Sequence, residues 1–222
     1  MTQRITDLPP DELERFCMLS PRIFGDYRNP TRGPFRMAFI YANTIDNEGC
    51  NFLRAIELEN AGAINSLGVS EGSLGFGYEG FAHSLERLRY LGWRDTVPIV
   101  KIDVGGQVNT GTEAQKLVEY IDQHFAVGDD LAVIAPHFHI ERAFTTTVTA
   151  LKRNNVSVRA YAVPGAPLNW TQVAKHSLGI VEGKRADLLK GELQRREKYR
   201  ALECGSMATA QDVIDYLDWR DS

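Results

Sequence analysis

Short apolar runs alternate along the chain with segments whose apolar residues recur at helical spacing. The runs are Arg36 to Ala42, Ala63 to Leu67, Pro98 to Val104, Leu131 to Ala135 and Val156 to Val163. They end at Asn43-Thr44, Gly68, Gly105-Gly106, Pro136 and Pro164-Gly165. Runs this continuous read as strands covered on both faces. Between them, Cys50 to Ala61 carries Phe52, Leu53, Ile56 and Leu58, with Gly62 as a stop. Tyr78 to Leu91 carries Phe81, Leu85 and Leu88, with Gly92 as a stop. Thr110 to Phe125 carries Ala114, Leu117, Val118 and Ile121, with Thr110 or Thr112 as its cap, and Ile140 to Leu151 carries Ala143, Phe144 and Val148. Strand and helix recurring in this order predict βαβ units, hence an α/β protein with a mainly parallel sheet of about five strands and helices on both faces.

The two ends depart from that rhythm. Residues 1–35 read as an N-terminal helix, Asp11 to Leu19, followed by an arm from Pro21 to Pro34. The prolines and glycines of the arm argue against regular structure, while Ile23, Phe24 and Tyr27 fit an arm laid over the surface. Residues 36–165 form the α/β core, and residues 166–222 a C-terminal helical extension packed on it. In that extension Ala186 to Leu202 is a charged helix with Leu188, Leu189, Leu193, Tyr199 and Leu202 as its apolar contacts. Asp187, Glu192, Glu197 and Glu203 interleave with Arg195, Arg196 and Lys198 as on a solvated face. Ser206 reads as the cap of a last helix, Ala208 to Trp219, with Val213, Ile214 and Leu217 inward.

Composition narrows the classes of partner. Lysine and arginine number 25 against 29 aspartate and glutamate, a net charge of −4, which argues against a nucleic-acid binder. No apolar run approaches the length of a membrane span, and Met1 to Asp7 lacks the apolar core of a signal peptide, so a cytoplasmic protein is expected. Cys17, Cys50 and Cys204 stand far apart and form neither a zinc ribbon nor a disulfide framework.

Ligands of an open parallel sheet bind beyond the carboxyl ends of its strands. The loops there offer Asn43 and Thr44 after the first strand, Gly68 and Ser70 after the second, and Gly105, Gly106, Asn109 and Thr110 after the third. His137, His139 and Arg142 follow the fourth. His139 and Arg142 share one face of a helix's first turn, where an imidazole and a guanidinium beside free backbone N–H groups make a site for phosphate or carboxylate. The plainer alternative pairs Arg142 with Glu119 or Glu141. His137 and His139 form an H-x-H pair, but no second ligand cluster accompanies it, and no metal is expected. Gly75 to Gly80 matches G-x-G-x-x-G, with Asp103 at the end of the next strand, and leaves a NAD(P)-dependent oxidoreductase as an alternative. Against it, the residues from Gly68 to Leu74 intervene between strand and first glycine. Asn109 or Thr110 serves as a helix cap, a ligand contact, or both.

Asn109-Thr110 leading into a helix, with Ala114 in its first turn, and then His139, Arg142 and Ala143 after a strand, resemble the motifs of the YdcF-like family, which includes SanA and ElyC. Glu79-Gly80 is similar to the family's earlier Glu-Ala pair. The chain departs from the pattern at Thr112-Glu113, where the acidic group has moved one place, at Pro136 in place of a serine, and at Ala42-Asn43 in place of glycines. The resemblance spans roughly residues 36–165. It implies a Rossmann-like three-layer sandwich and a pocket for a nucleotide-like or S-adenosylmethionine-like ligand.

The expected function is therefore a small-molecule enzyme, a transferase or hydrolase acting on an anionic ligand. Arg142 holds the anion, His139 is the general acid or base, and Glu79 is its carboxylate partner. Asn43, Thr44, Gly68, Gly105, Gly106, Asn109, Thr110 and His137 complete the ligand contacts. A binding or sensing protein without turnover is the alternative, because no Gly-x-Ser-x-Gly elbow or Walker loop supplies a nucleophile or phosphate cradle.

Overall fold

The structure is a computed structural model and describes residues 10–26, 32–75, 77–176, 181–200 and 207–222. Readings that concern residues 1–9, 27–31, 177–180 and 201–206, including Tyr27, Leu202, Glu203, Cys204 and Ser206, and the middle of the glycine loop at Phe76, lie outside the described residues. So do the side chains of Leu193, Arg196, Glu197 and Tyr199.

Five strands form one all-parallel sheet: β1 (Met37–Ile40), β2 (Leu67–Ser73), β3 (Ile99–Gln107), β4 (Asp130–Ala135) and β5 (Arg159–Pro164), in the order β3-β2-β1-β4-β5. The crossovers are α2 (Ile45–Asn60), α3 (Phe81–Leu91), α4 (Thr110–His124) and α5 (Ile140–Arg153). The arrangement is α/β and Rossmann-like. β1 and β4 are central, and every residue of both is buried. Side chains of alternate residues go to opposite faces. Met37, Phe39, Leu131 and Val133 join a core with α4 and α5, whereas Ala38, Ile40, Ala132 and Ile134 join a second core with α2 and α3. The first core also receives Leu19 and Ile23 of α1 (Pro10–Phe24) and Val213 and Leu217 of α7 (Ala210–Asp221). Asp26 and Arg220, both almost wholly buried, pair at 2.7 Å and tie the end of α1 to α7.

Several boundaries differ from those expected. α1 runs through Pro21 to Phe24, since a proline in a last turn removes only one helical bond and Leu19 and Ile23, both fully buried, hold that turn to the core. α2 starts at Ile45, not Cys50, because its first turn is polar and carries no apolar period. α3 starts at Phe81, not Tyr78, because Gly80 at φ 93° is not helical. β2 opens only at Leu67, so the expected run Ala63 to Leu67 keeps just its last residue in the strand, which runs on past Gly68 to Ser73; β3 runs past Gly105-Gly106 to Gln107. Parallel pairing with a neighbour holds these glycine-rich ends in the sheet despite their low strand propensity. The C-terminal extension is not wholly helical: β6 (Val173–His176) and β7 (Val181–Lys184) pair antiparallel ahead of α6 (Arg185–Arg200). α7 begins at Ala210, capped by Thr209 in a reciprocal box with Asp212. Among the described residues no helix is long and apolar enough to cross a membrane.

Candidate functional site

The chain leaves β1 toward one side of the sheet and returns through β4 on the other, so the carboxyl ends of β1 and β4 flank the topological switch point. Two turns meet there. Tyr41 to Thr44 leads from β1 into α2. Pro136 to His139 leads from β4 into α5, closed by His139 N and Ile140 N donating to Pro136 O at 2.8 and 2.9 Å. The turn leaves His139 at the N-cap of α5 without a capping bond of its own side chain.

The imidazole is held at both nitrogens. Asn43 Nδ2 lies 3.2 Å from His139 Nδ1, and Thr110 Oγ1 lies 3.3 Å from Nε2. The edge of the Tyr41 ring packs against it at 6.2 Å between centroids. With the Asn43 amide donating, Nδ1 accepts and the ring proton sits on Nε2, toward Thr110. Arg142 Nη1 also donates to Thr110 Oγ1, at 2.7 Å, so imidazole and guanidinium converge on one hydroxyl. Asn43 is buried, and its Oδ1 has no hydrogen-bond partner. An unmatched buried acceptor costs about 1–3 kcal/mol.

Beneath this chain lies Glu113, in the first turn of α4 and 1% exposed. One carboxylate oxygen, Oε1, accepts both from Ala42 N and from Ser70 Oγ, each at 2.8 Å. Burial pushes its carboxyl up to about 7, and these two bonds and the charge of Arg142 only partly offset that. A group poised there can exchange a proton near neutrality. Tyr78 donates its hydroxyl to Ser70 O, and burial raises its phenol. Farther along the rim, His83 Nε2 meets Glu48 Oε1 at 2.7 Å, joining the first turns of α2 and α3. Burial raises the Glu48 carboxyl. Burial also pushes the Cys50 thiol up to about 12, which leaves it inert as a nucleophile.

Arg142 is not paired with Glu119 or Glu141. Glu119 bonds Lys116 and Gln115, and Glu141 accepts from Ser20 Oγ at 3.0 Å. The guanidinium instead forks onto Glu192 of α6, through Nε and, at 3.2 Å, through Nη2. Arg195 adds a second contact to the same carboxylate at 2.8 Å. Glu192 is 3% exposed, so the expectation of a solvated face does not hold at this position.

Of the residues singled out in the sequence, Asn43, Thr110, His139 and Arg142 come together. Asn109 does not join them: it is exposed, and its side chain accepts from Gly111 N and Thr112 N as the α4 cap. Thr44 donates to Lys175 O at 2.6 Å in the β6–β7 hairpin. His137 sits half-buried one turn away, with its imidazole pKa lowered by burial and then by Arg54. Glu79 is exposed, its charge helps raise the Glu48 carboxyl, and the bonds that hold the His139 ring come from Asn43 and Thr110 instead. Gly68, Gly105 and Gly106 are strand residues, not loop contacts: a Cβ at Gly68 would stand 2.9 Å from both Met37 Sδ and Phe39 Cδ2. No three His, Cys, Asp or Glu side chains group to hold a metal ion among the described residues.

The G-x-G-x-x-G segment needs one correction. The residues from Gly68 to Ser73 do not separate it from a strand, because they are the strand. Gly75 and Tyr78 then bond each other twice, at 3.2 and 3.0 Å, so this backbone turns on itself instead of opening toward a pyrophosphate. The residues also supply no nucleotide cradle at the switch point. Ala42 N–H is taken by Glu113, and no glycine follows β1. What the donor set of Arg142, Thr110 and His139 fits is an oxyanion.

Glu113 and Glu192 were not anticipated as site residues. Both stand on the apolar stripe of their helix, Glu113 four residues before Leu117 and Glu192 four after Leu188 and three after Leu189, so helical spacing was the signal that could have found them. No protein-family model, characterised protein or solved structure matches the chain. The resemblance to YdcF-like proteins rests on the motif residues themselves.

Proposed function

We propose that the protein is an enzyme performing acid–base chemistry, group transfer or hydrolysis, on a small anionic molecule at the carboxyl ends of β1 and β4. The observation that carries this is the suspension of His139 between Asn43 and Thr110, with Arg142 on the same hydroxyl. Arg142 binds the anion. Thr110 and Asn43 set the imidazole's orientation and tautomer, and His139 moves the proton at Nε2. Glu113 is the structural floor that fixes the ends of β1, β2 and α4. Glu79 has no part in this arrangement.

One observation favours the second reading, binding without turnover: His139 is only 3% exposed. The two are separated by incubating the purified protein with sugar phosphates, nucleotides, S-adenosylmethionine and short carboxylates, followed by mass spectrometry. Conversion of one of them is expected. His139→Ala should then slow turnover by about 100-fold or more while the ligand still raises the melting temperature. A ligand that binds and is always recovered unchanged would establish the second reading.

A further inference from the structure

We infer that Glu192 occupies the place of the ligand's own anionic group, so that the site takes a molecule bearing a phosphate or carboxylate and α6 is displaced as that group seats on Arg142. The inference rests on the proposed function and specifies both its ligand class and its control.

The Glu192 carboxylate approaches Nε and Nη2 of Arg142 together, the two-point geometry by which a guanidinium takes an external carboxylate or phosphate. The third donor, Nη1, points to Thr110, the first residue of α4, and Arg142 itself stands in the first turn of α5. The carboxylate thus fills a position bounded by a guanidinium and two positive helix ends. At the other end of the same chain, across the His139 ring from Thr110, Asn43 Oδ1 is an unmatched buried acceptor that a hydroxyl or amine of a ligand would satisfy. An internal side chain meets the charge requirement of the site but not its hydrogen-bonding requirement.

α6 is built to release that side chain. Among its described side chains only Arg185, Leu188 and Glu192 are buried. Arg185 anchors the first turn through bonds to Asn47 Oδ1, Asp46 O, Asn169 O and Gln172 Oε1. Two turns on, Glu192 holds the helix to α5. Exchanging one anion for another at Arg142 keeps the guanidinium paired, so the swap avoids the penalty of an isolated buried charge. Arg185 keeps the displaced helix attached.

An internal competitor lowers apparent affinity by the fraction of molecules in which it has withdrawn. The test is calorimetric titration of pyrophosphate into the full chain. Removing the competing charge in Glu192→Gln should tighten binding about tenfold or more, and adding Arg142→Met to that variant should abolish it. Equal affinity of the wild type and Glu192→Gln, with loss in Arg142→Met, would overturn the internal competitor and leave the anion site standing. Affinity unaffected by Arg142→Met, or no binding to any form, would overturn the site itself. Should Glu192→Gln fail to fold, the wild type still decides. Saturating pyrophosphate should speed amide exchange across residues 185–192, and unchanged exchange there would refute the displacement.

Discussion

Replacing Glu113 by glutamine tests whether the floor of the site carries a proton. In the folded protein this carboxyl is pushed from its ordinary 4.5 up to about 7 by burial. Below the unfolded value both states are protonated and the folded form has its full stability. As pH rises, the unfolded carboxyl ionises first, and the folded state loses ground until the pH passes about 7. Each tenfold difference in proton affinity is worth about 1.4 kcal/mol. Between about pH 5.5 and about pH 8 the loss works out to about 2 kcal/mol. Glutamine does not titrate, and its carbonyl can accept from both Ala42 N and Ser70 Oγ, because in the native protein these two bonds converge on Oε1. Urea unfolding of both proteins across that pH range gives the difference directly, and groups common to both cancel. The stability of Glu113→Gln relative to wild type should rise by about 2 kcal/mol toward alkaline pH, a relative gain of about 4–8 °C in melting temperature. A difference that stays flat would show that Glu113 ionises like a surface carboxyl, and the reasoning from burial would fail.

Other substitutions probe the scaffold. Asp26→Ala should cost about 3–5 kcal/mol in chemical denaturation, since it removes the two-point partner of the buried Arg220 guanidinium, leaves it only Asp221 and Ala160 O, and strips Ala162 N of its acceptor. Gly72→Ala should cost about 1–3 kcal/mol, because a Cβ there would stand 2.5 Å from Val104 Cγ2 and 2.6 Å from Gly106 O, where β2 and β3 close together. Gly49→Ala, in the middle of α2 with nothing within 4 Å of the added carbon, should instead stabilise by about 0.5–1 kcal/mol. Equal effects of the two glycine changes would contradict the close approach of the strands.

The order of strands and helices was legible because β1 is apolar throughout, β4 is apolar after Asp130, and the helices between the strands keep their period. The glycine-rich end of β2 was not, for its letters from Gly68 to Ser73 carry almost no apolar signal; pairing with β3 makes it a strand. The short β6–β7 hairpin escaped notice for the same reason, its runs being only four residues each. In the site, the rule of ligands beyond strand ends located Asn43, Thr110, His139 and Arg142, because the chemistry of these residues and their place in the alternation coincide. Asn109 and Thr44 met the same rule, but Asn109 is taken by the backbone of its own helix turn and Thr44 by Lys175 O of the β6–β7 hairpin. What sequence could not show is the partner. The periods of α4 and α6 put Glu113 on the face of Ala114 and Leu117 and Glu192 on the face of Leu188 and Leu189, yet nothing in them names Ala42 N, Ser70 or Arg142 as what those carboxylates meet.

Two carboxylates act on Arg142 in different ways. Glu192 touches it and rides on α6, whereas Glu113 acts on it through space and is fixed between β1, β2 and α4. While Glu113 holds its proton, the guanidinium is balanced by whatever anion sits on its fork. When Glu113 ionises, a fixed negative charge stands behind the guanidinium, and its hold on any anion weakens. Affinity for an external anion should therefore fall a few-fold as pH rises through about 7. Sulfate is the right probe, because its charge is constant over that range. In Glu113→Gln the fall attributable to this carboxyl should disappear, whatever His139 contributes, since the imidazole is present in both proteins. Parallel pH profiles for sulfate in the two proteins would mean that Glu113 is a structural acceptor only, without influence on the charge of the site.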